Sequence, residues 1–197
     1  MARYHHGSLR ASLLAAARLA VETEGETGLS LRALASAAGV TANAPYRHFA
    51  NKEALLAALA GEGFIELTAR FRPFETVATA ARMQGCLEAY LGFAREHPGL
   101  YRLMFGRSLD PLSCDPVLGE QARACFMALM AVVAQALQRP GDDPFVSRHA
   151  AMVWSLSHGA ALLDIDRATA FLTDQARPTA AGLAAMVMSS LASAPAR

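Results

Sequence analysis

The sequence has few β-branched residues and few charges. Valine and isoleucine together account for 11 of the 197 residues, whereas alanine accounts for 43. Alanine is the best helix former and β-branched residues favour strands, so an all-β or a parallel α/β chain is disfavoured. Because 53% of the residues are hydrophobic and only 18% are charged, a disordered chain is excluded as well. The composition therefore predicts an all-α globular protein.

Cysteine is scarce, and segments that target or anchor a chain are missing. Cys86, Cys114 and Cys125 are odd in number and lack metal-type spacing, which fits reduced thiols better than a disulfide framework. The first residues lack the apolar core of a signal peptide. The longest uncharged stretch, 178–196, holds a few large apolar residues at helical spacing, which indicates a helix packed on protein. We expect a soluble cytoplasmic chain with no membrane segment.

Motifs for catalysis, cofactors and metals are also missing. No glycine-rich phosphate loop, nucleophile elbow or pair of catalytic carboxylates stands out in the sequence. The adjacent His5 and His6 would point in different directions, so they do not indicate a metal site. We therefore expect no enzymatic activity, no cofactor and no bound metal.

Glycine and proline divide the sequence into about nine helical blocks. Gly25, Gly39 and Gly141 follow the ends of blocks, whereas Pro144 and Pro178 begin them. The first four blocks are short or medium, and the later ones are long and apolar.

The stretch 31–49 has the pattern of two short helices joined by a tight turn. Ala35 lies where two helices would cross closely, Gly39 can adopt the positive φ of the turn, and Thr41 can cap the second helix. Pro45 falls in the first turn of that helix, where its cost is modest. The pattern predicts a helix-turn-helix, whose second helix enters the major groove of DNA.

The second helix and the residues after it carry groups suited to DNA. Hydroxyl and imidazole groups can bond phosphate oxygens, and an amide or a guanidinium can reach base edges. Asn51 would cap the next helix and place Lys52, the only lysine, beside phosphate, while Arg3 and Arg10 could add phosphate contacts. The residues predicted to bind DNA are Thr41, Ala42, Asn43, Ala44, Tyr46, Arg47, His48 and Lys52.

These motifs resemble the TetR-type bacterial transcriptional regulators. The resemblance rests on Leu-Ser-Leu-Arg at 29–32, Ala-Gly-Val at 38–40, Tyr-Arg-His-Phe at 46–49 and Asn-Lys-Glu-Ala-Leu-Leu at 51–56. It implies a three-helix DNA-binding head at 1–61, with a linking helix to about 70. It further implies a ligand-binding and dimerisation domain at 71–197. By the same resemblance, Tyr46 and Lys52 contact phosphate and the residues after Thr41 read bases.

The C-terminal half resembles one subgroup of that family. Trp154, His158 and Gly159 match its Trp–His–Gly element, and the segment 97–105 is also similar. Trp154 and His158 share a helix face, where they either line a ligand cavity or belong to the packed core. The predicted pocket residues are Tyr101, Met104, Phe105, Phe126, Met130, Trp154 and His158. The family also implies a homodimer through the last two long helices, at about 144–164 and 178–194.

The leading hypothesis is a ligand-responsive repressor. It would bind a near-palindromic double-stranded DNA operator as a homodimer and be released by a small apolar or aromatic effector. The net charge of +1 agrees with this, because residues 1–52 carry +3 and residues 53–197 carry −2. A second hypothesis is a helical ligand-binding or protein-interaction module that no longer reads specific DNA, because Ala42 and Ala44 offer bases no hydrogen bonds.

Overall fold

The computed structural model describes residues 6–106, 109 and 115–193, and within them it contains helices and no strand. The α-helices are α1 (His6–Glu24), α2 (Leu31–Ala37), α3 (Lys52–Ala69), α4 (Thr79–Glu96), α5 (Pro98–Phe105), α6 (Pro116–Leu137), α7 (Pro144–Ile165) and α8 (Ala180–Ala192). Short 3-10 helices lie at Pro45–Arg47, Arg72–Phe74 and Asp174–Ala176. The all-α prediction is confirmed, and the count is close to the nine helices expected. Arg3, His5, Cys114 and residue 194 lie outside the described residues, as does the side chain of His6.

Glycines and a polar cap set the helix ends in the N-terminal part of the chain. Gly25 and Gly39 have φ of +75° and +66°, which L-residues with a Cβ rarely adopt, and they follow α1 and α2. The Asn51 side chain accepts a hydrogen bond of 2.8 Å from the Ala54 N–H and so caps α3. The helix ends predicted at Gly25 and Gly39 and the cap predicted at Asn51 are therefore confirmed.

The second helix of the helix-turn-helix is shorter than the sequence indicates. Residues 42–44 form turns, and only Pro45–Arg47 is helical, as a 3-10 helix. The Thr41 carbonyl accepts from the Ala44 N–H at 2.9 Å. In an α-helix the N–H of the next residue would bond that carbonyl, but Pro45 has none. The proline therefore converts the expected base-reading helix into consecutive turns.

The chain divides into two compact units, and the first comprises the described residues up to Phe64 together with 97–122. In this unit α1 packs on α2 and on α5. Two glycines of α3 let neighbouring side chains approach its backbone closely. A Cβ at Gly61 would overlap the side chain of Gln121, and a Cβ at Gly63 would overlap that of Met104. The largest fully buried side chains among the described residues of this unit are Leu13, Leu14, Leu55, Leu59, Leu100, Tyr101, Met104 and Leu118.

The second unit comprises residues 65–96 and the described residues from Arg123 onward. In it α4 packs against both α7 and α8, which also contact each other. Its buried apolar side chains include Leu67, Met83, Phe93, Val132, Val133, Val146, Val153, Leu183, Val187 and Leu191. The apolar positions of α8 recur at helical spacing, as expected for a helix packed on protein.

One helix of the described chain, α6, is long and apolar enough to cross a membrane by length and composition. About 33% of its most apolar window is buried in the structure. The described part of the stretch 178–196 contains the shorter helix α8. Core helices of soluble proteins meet the same criterion as α6, so the criterion alone does not indicate a membrane span.

Two cysteines lie in the described part of the chain, and both are free thiols. Cys86 and Cys125 are buried, and burial raises the pKa of each thiol to about 11. Because the thiolate is the reactive form, these side chains act as apolar core residues at neutral pH.

Candidate nucleic-acid interface and aromatic cluster

The predicted DNA-binding residues lie together on the turn after α2, the 3-10 helix and the start of α3. Pro45 and Phe49 are buried and anchor this segment to the first unit. Tyr46 is 49% exposed although it is a large aromatic residue. Thr41, Ala42, Asn43, Tyr46 and Arg47 are exposed, whereas Ala44, His48 and Lys52 are half-buried. The segment thus exposes hydroxyl, amide and guanidinium groups to solvent, while the buried Pro45 and Phe49 hold it in place.

Lys52 lies at the positive end of α3 and is held by one protein contact. Its Nζ donates a hydrogen bond of 3.2 Å to the backbone carbonyl of Thr27, in the loop between α1 and α2. An ammonium group has three donors, so one such bond leaves donors for an anion. The free N–H groups of a helix N-terminus favour an anion at the same place. This arrangement suits a phosphate group beside Lys52.

Arg10 places a further cation of α1 against the same segment. Its guanidinium carbon lies 5.4 Å from the centre of the Phe49 ring, and the side chain is exposed. This distance is within the range of a cation–π contact, which orients the guanidinium. Arg10, Arg47 and Lys52 are three cations that the structure describes on or beside this segment.

The second unit contains a cluster of aromatic rings joined by hydrogen bonds. The rings of Trp154 and His158 lie 6.1 Å apart along α7, and Phe126 of α6 meets Trp154 edge-on at 5.9 Å. Trp154 Nε1 donates to the Tyr90 hydroxyl of α4 at 3.3 Å, and that hydroxyl lies 3.3 Å from His158 Nδ1. Tyr90 is buried, whereas Trp154 is 38% exposed. Tyr90 therefore holds the two α7 side chains in a defined orientation.

The hydrogen bonds of Tyr90 fit a neutral His158 whose Nδ1 accepts from the hydroxyl. The tryptophan N–H can only donate, so the Tyr90 oxygen accepts from it and the hydroxyl proton is available to His158 Nδ1. In that arrangement the imidazole is neutral and carries its proton on Nε2. Burial lowers the pKa of His158, which favours the same neutral form.

The seven predicted pocket residues are divided between the two units. In the first unit, Tyr101 and Met104 are fully buried, and the ring of Phe105 lies 4.8 Å from Tyr101 and 5.3 Å from Phe64. In the second unit, the structure brings together Phe126, Trp154 and His158, and the side chain of Met130 is half-buried on α6.

The sequence interpretation missed Tyr90, the residue that links the α7 pair. Tyr90 stands in α4 as one of several apolar residues, and no motif marks it. Its contacts join positions 64 and 68 residues apart in the chain, a separation that a local pattern does not encode. Only the packing of α4 against α7 reveals its role.

Two family models match the chain. The model described as bacterial regulatory proteins, tetR family, matches residues 13–59, which include the helix-turn-helix. The model described as tetracyclin repressor-like, C-terminal domain, matches residues 83–187, which is more than half of the chain.

Solved structures match the chain over nearly its whole length. A protein with unknown function from Rhodococcus sp. RHA1 is 34% identical, with 97% of each chain covered and a TM-score of 0.77. A tetR-family transcriptional regulator from Streptomyces coelicolor is 21% identical over 94% of this chain and 79% of its own, with a TM-score of 0.68. The TetR-family regulator PfmR from Thermus thermophilus is 19% identical over 94% and 98%, with a TM-score of 0.61. No curated protein matches the sequence significantly.

The state of His158 can be measured directly. At neutral pH, the nitrogen chemical shifts of His158 should show the proton on Nε2, and its titration midpoint should lie below the value of about 6.5 for a solvated histidine. The unfolded state then binds this proton more readily than the folded state. The contribution of His158 to stability is therefore present above about pH 6.5 and declines as the pH falls through the lowered pKa.

The matched variant for this measurement is Tyr90→Phe, which removes the hydroxyl and keeps the ring. It should weaken the preference for the Nε2 proton, which a neutral imidazole keeps in part without a partner, while burial still lowers the pKa of His158. A proton on Nδ1 in the unaltered protein would contradict the hydrogen-bond direction assigned above.

Proposed function

This chain belongs to the TetR family of bacterial transcription regulators, and on that premise we propose that it represses transcription from a near-palindromic DNA operator. It has the N-terminal DNA-binding and C-terminal ligand-binding domains of the family. We divide them at 1–61 for the head, with its linking helix to about 70, and 71–197 for the body. The regulator acts in the cytoplasm, without catalysis, and a small hydrophobic effector releases it from the operator.

The observation that carries the proposal is the exposed polar segment between α2 and α3. Asn43 and Arg47 are exposed there and can bond adenine and guanine edges in the major groove. Ala42 can contact a thymine methyl group, and Tyr46 and Lys52 are suited to phosphate. Because few side chains can read bases, sequence-dependent DNA shape supplies part of the specificity.

The effector class follows from the side chains of the aromatic cluster. Phe126, Met130 and Trp154 are apolar, and the lowered pKa of His158 favours its neutral form. A neutral aromatic or apolar molecule fits such side chains better than an ion, whose desolvation would be uncompensated.

Release from DNA requires that the effector prefer one conformation of the regulator. A ligand shifts a conformational equilibrium only by the difference between its affinities for the two states. A difference of about 1.4 kcal/mol changes operator affinity tenfold, and a change of 100-fold needs about twice that.

The homodimer is supported by exposed apolar positions on α7 and α8. Met152, Leu156 and Leu163 of α7 are exposed and recur at helical spacing. Gly159 falls in the same row, and the space beside it is open, because an added Cβ would meet no atom within 4 Å. Met186 is exposed on α8. Large exposed apolar side chains in a row are typical of a face that another protein covers. A second copy paired through α7 and α8 would cover them and would place two heads on successive half-sites.

The phosphate contact can be tested through the charge of Lys52. Lys52→Gln keeps a donor for the Thr27 carbonyl but removes the charge, so the slope of log affinity against log salt should fall by about one. Lys52→Arg keeps the charge and should leave the slope unchanged. Fluorescence anisotropy with a duplex from the region upstream of the gene measures both. An unchanged slope for Lys52→Gln would remove Lys52 from the phosphate contacts, and no binding of the unaltered protein would favour the module that no longer reads DNA.

The dimer can be tested at Leu156, which is 45% exposed. Leu156→Asp should weaken dimerisation at least about tenfold, because an unpaired carboxylate buried between copies costs more than about 1.4 kcal/mol. Leu19→Asp is the control, since Leu19 is 66% exposed and belongs to α1, which is not a helix of the proposed interface. Sedimentation equilibrium should give about twice 20.9 kDa for the unaltered chain and for the control. A dimer undisturbed by Leu156→Asp would place the interface elsewhere.

Trp154 is the only tryptophan, so its fluorescence reports on the proposed effector site. Among small neutral aromatic compounds, those that release the duplex should change the Trp154 emission with the same concentration midpoint. Trp154→Ala should weaken the response to such compounds at least about tenfold while leaving operator affinity nearly unchanged, because an indole ring covered by a bound aromatic molecule contributes over about 1.4 kcal/mol. Release without any change in emission would place the effector away from Trp154.

A further inference from the structure

The first turn of α5 does not receive its cap from its own neighbours in sequence. α5 has eight residues, which is too few for a helix to be stable in isolation. The residue at its N-cap position, His97, makes no side-chain capping bond. Pro98 has no N–H, so the N–H groups of Gly99 and Leu100 are the ones that need acceptors.

Glu22, near the C-terminal end of α1, supplies both acceptors. Its Oε2 accepts from the Gly99 N–H at 2.7 Å, and its Oε1 accepts from the Leu100 N–H at 3.1 Å. A carboxylate at a helix N-terminus also interacts favourably with the helix dipole. One side chain of α1 therefore satisfies the start of a helix that lies 77 residues further along the chain.

The backbones of α1 and α5 approach closely at this point because residue 99 is a glycine. A Cβ on Gly99 would lie 2.8 Å from the Cα of Glu22 and would also overlap the Val21 carbonyl oxygen. Backbone atoms cannot move aside as the end of a flexible side chain can. Gly99 and Glu22 thus form one contact between α1 and α5, which we call the α5 joint. The glycine permits the close approach of the two backbones, and the Glu22 carboxylate hydrogen-bonds to α5.

The same helix reaches the DNA-binding segment. Arg10, twelve residues before Glu22, lies over the ring of Phe49, which anchors the segment that carries Tyr46 and Arg47. Twelve residues of α-helix span about 18 Å at about 1.5 Å per residue. α1 is therefore a rigid connection with the α5 joint near one end and the DNA-binding segment near the other.

We propose that Glu22 is a positioning residue that couples the first turn of α5 to the DNA-binding head through α1, an inference that rests on the proposed function. A shift or unwinding of that turn releases the carboxylate, so the position of α1 and the order of α5 are linked. Such linkage is reciprocal: DNA that holds the head in place stabilises the first turn of α5, and a change at α5 alters DNA affinity.

Hydrogen exchange of the full-length protein tests this coupling. In the free protein, Glu22→Ala should speed exchange of the Gly99 and Leu100 amides roughly five- to tenfold, as expected for a lost cap. Glu22→Gln keeps one oxygen acceptor and should show a smaller increase. Glu24→Ala removes the same charge from an exposed residue of the same helix and should leave these amides unchanged.

The decisive comparison adds the duplex from the region upstream of the gene at low ionic strength. In the unaltered protein and in Glu24→Ala, the duplex should slow exchange at Gly99 and Leu100, whereas in Glu22→Ala this protection should disappear although the duplex still binds. If Glu22→Ala keeps the full DNA-dependent protection, Glu22 is a local cap only and the proposal is overturned.

A failure of the proposed function gives a different result. If the unaltered protein does not bind the duplex by anisotropy, the exchange of the free protein decides the role of Glu22. Glu22→Ala must then speed exchange in α2 as well as in the first turn of α5, and Glu24→Ala must change neither. An effect confined to α5 overturns the coupling whether or not the protein binds DNA.

Discussion

Each helix of this chain must find partners for backbone groups that the helix itself leaves unsatisfied at its ends. Most of these partners are local: Asn51 caps α3, Asp143 caps α7 and Thr179 caps α8. α5 is different, because Glu22 of α1 caps it across 77 residues. The local caps decide where helices begin, whereas the remote cap that Glu22 supplies holds two helices together. The proposed coupling of α5 to the DNA-binding head depends on this difference.

The two proposed sites have different chemistry, and each suits its own ligand. The DNA-binding segment presents Arg47 and Lys52 on a chain whose first 52 residues carry a net +3, which favours a polyanion. The cluster around Tyr90 has no ionised member when His158 is neutral, and its Trp154 combines an apolar ring with a hydrogen-bonded N–H.

Local patterns predicted the parts of the structure that local forces decide. Gly39 at φ +66° and the Asn51 cap were both readable from residue type and spacing. The 3-10 helix at Pro45–Arg47 was not, because a proline is tolerated in the first turn of a helix and the pattern did not show that the first turn ended there. Trp154 and His158 were correctly placed on one helix face, but Tyr90 was missed because its partners are distant in sequence.

By itself, the sequence determined the all-α class and the main helix ends, since these depend on composition, periodicity and short-range caps, and its motifs at 29–56 carried the resemblance to the TetR family. The tertiary structure decided which distant side chains meet: Tyr90 with Trp154 and His158, and Glu22 with the first turn of α5. The physical reason is the distance along the chain over which each interaction acts. Helix propensity and capping act over about four residues, whereas a contact between helices exists only after their apolar faces have packed.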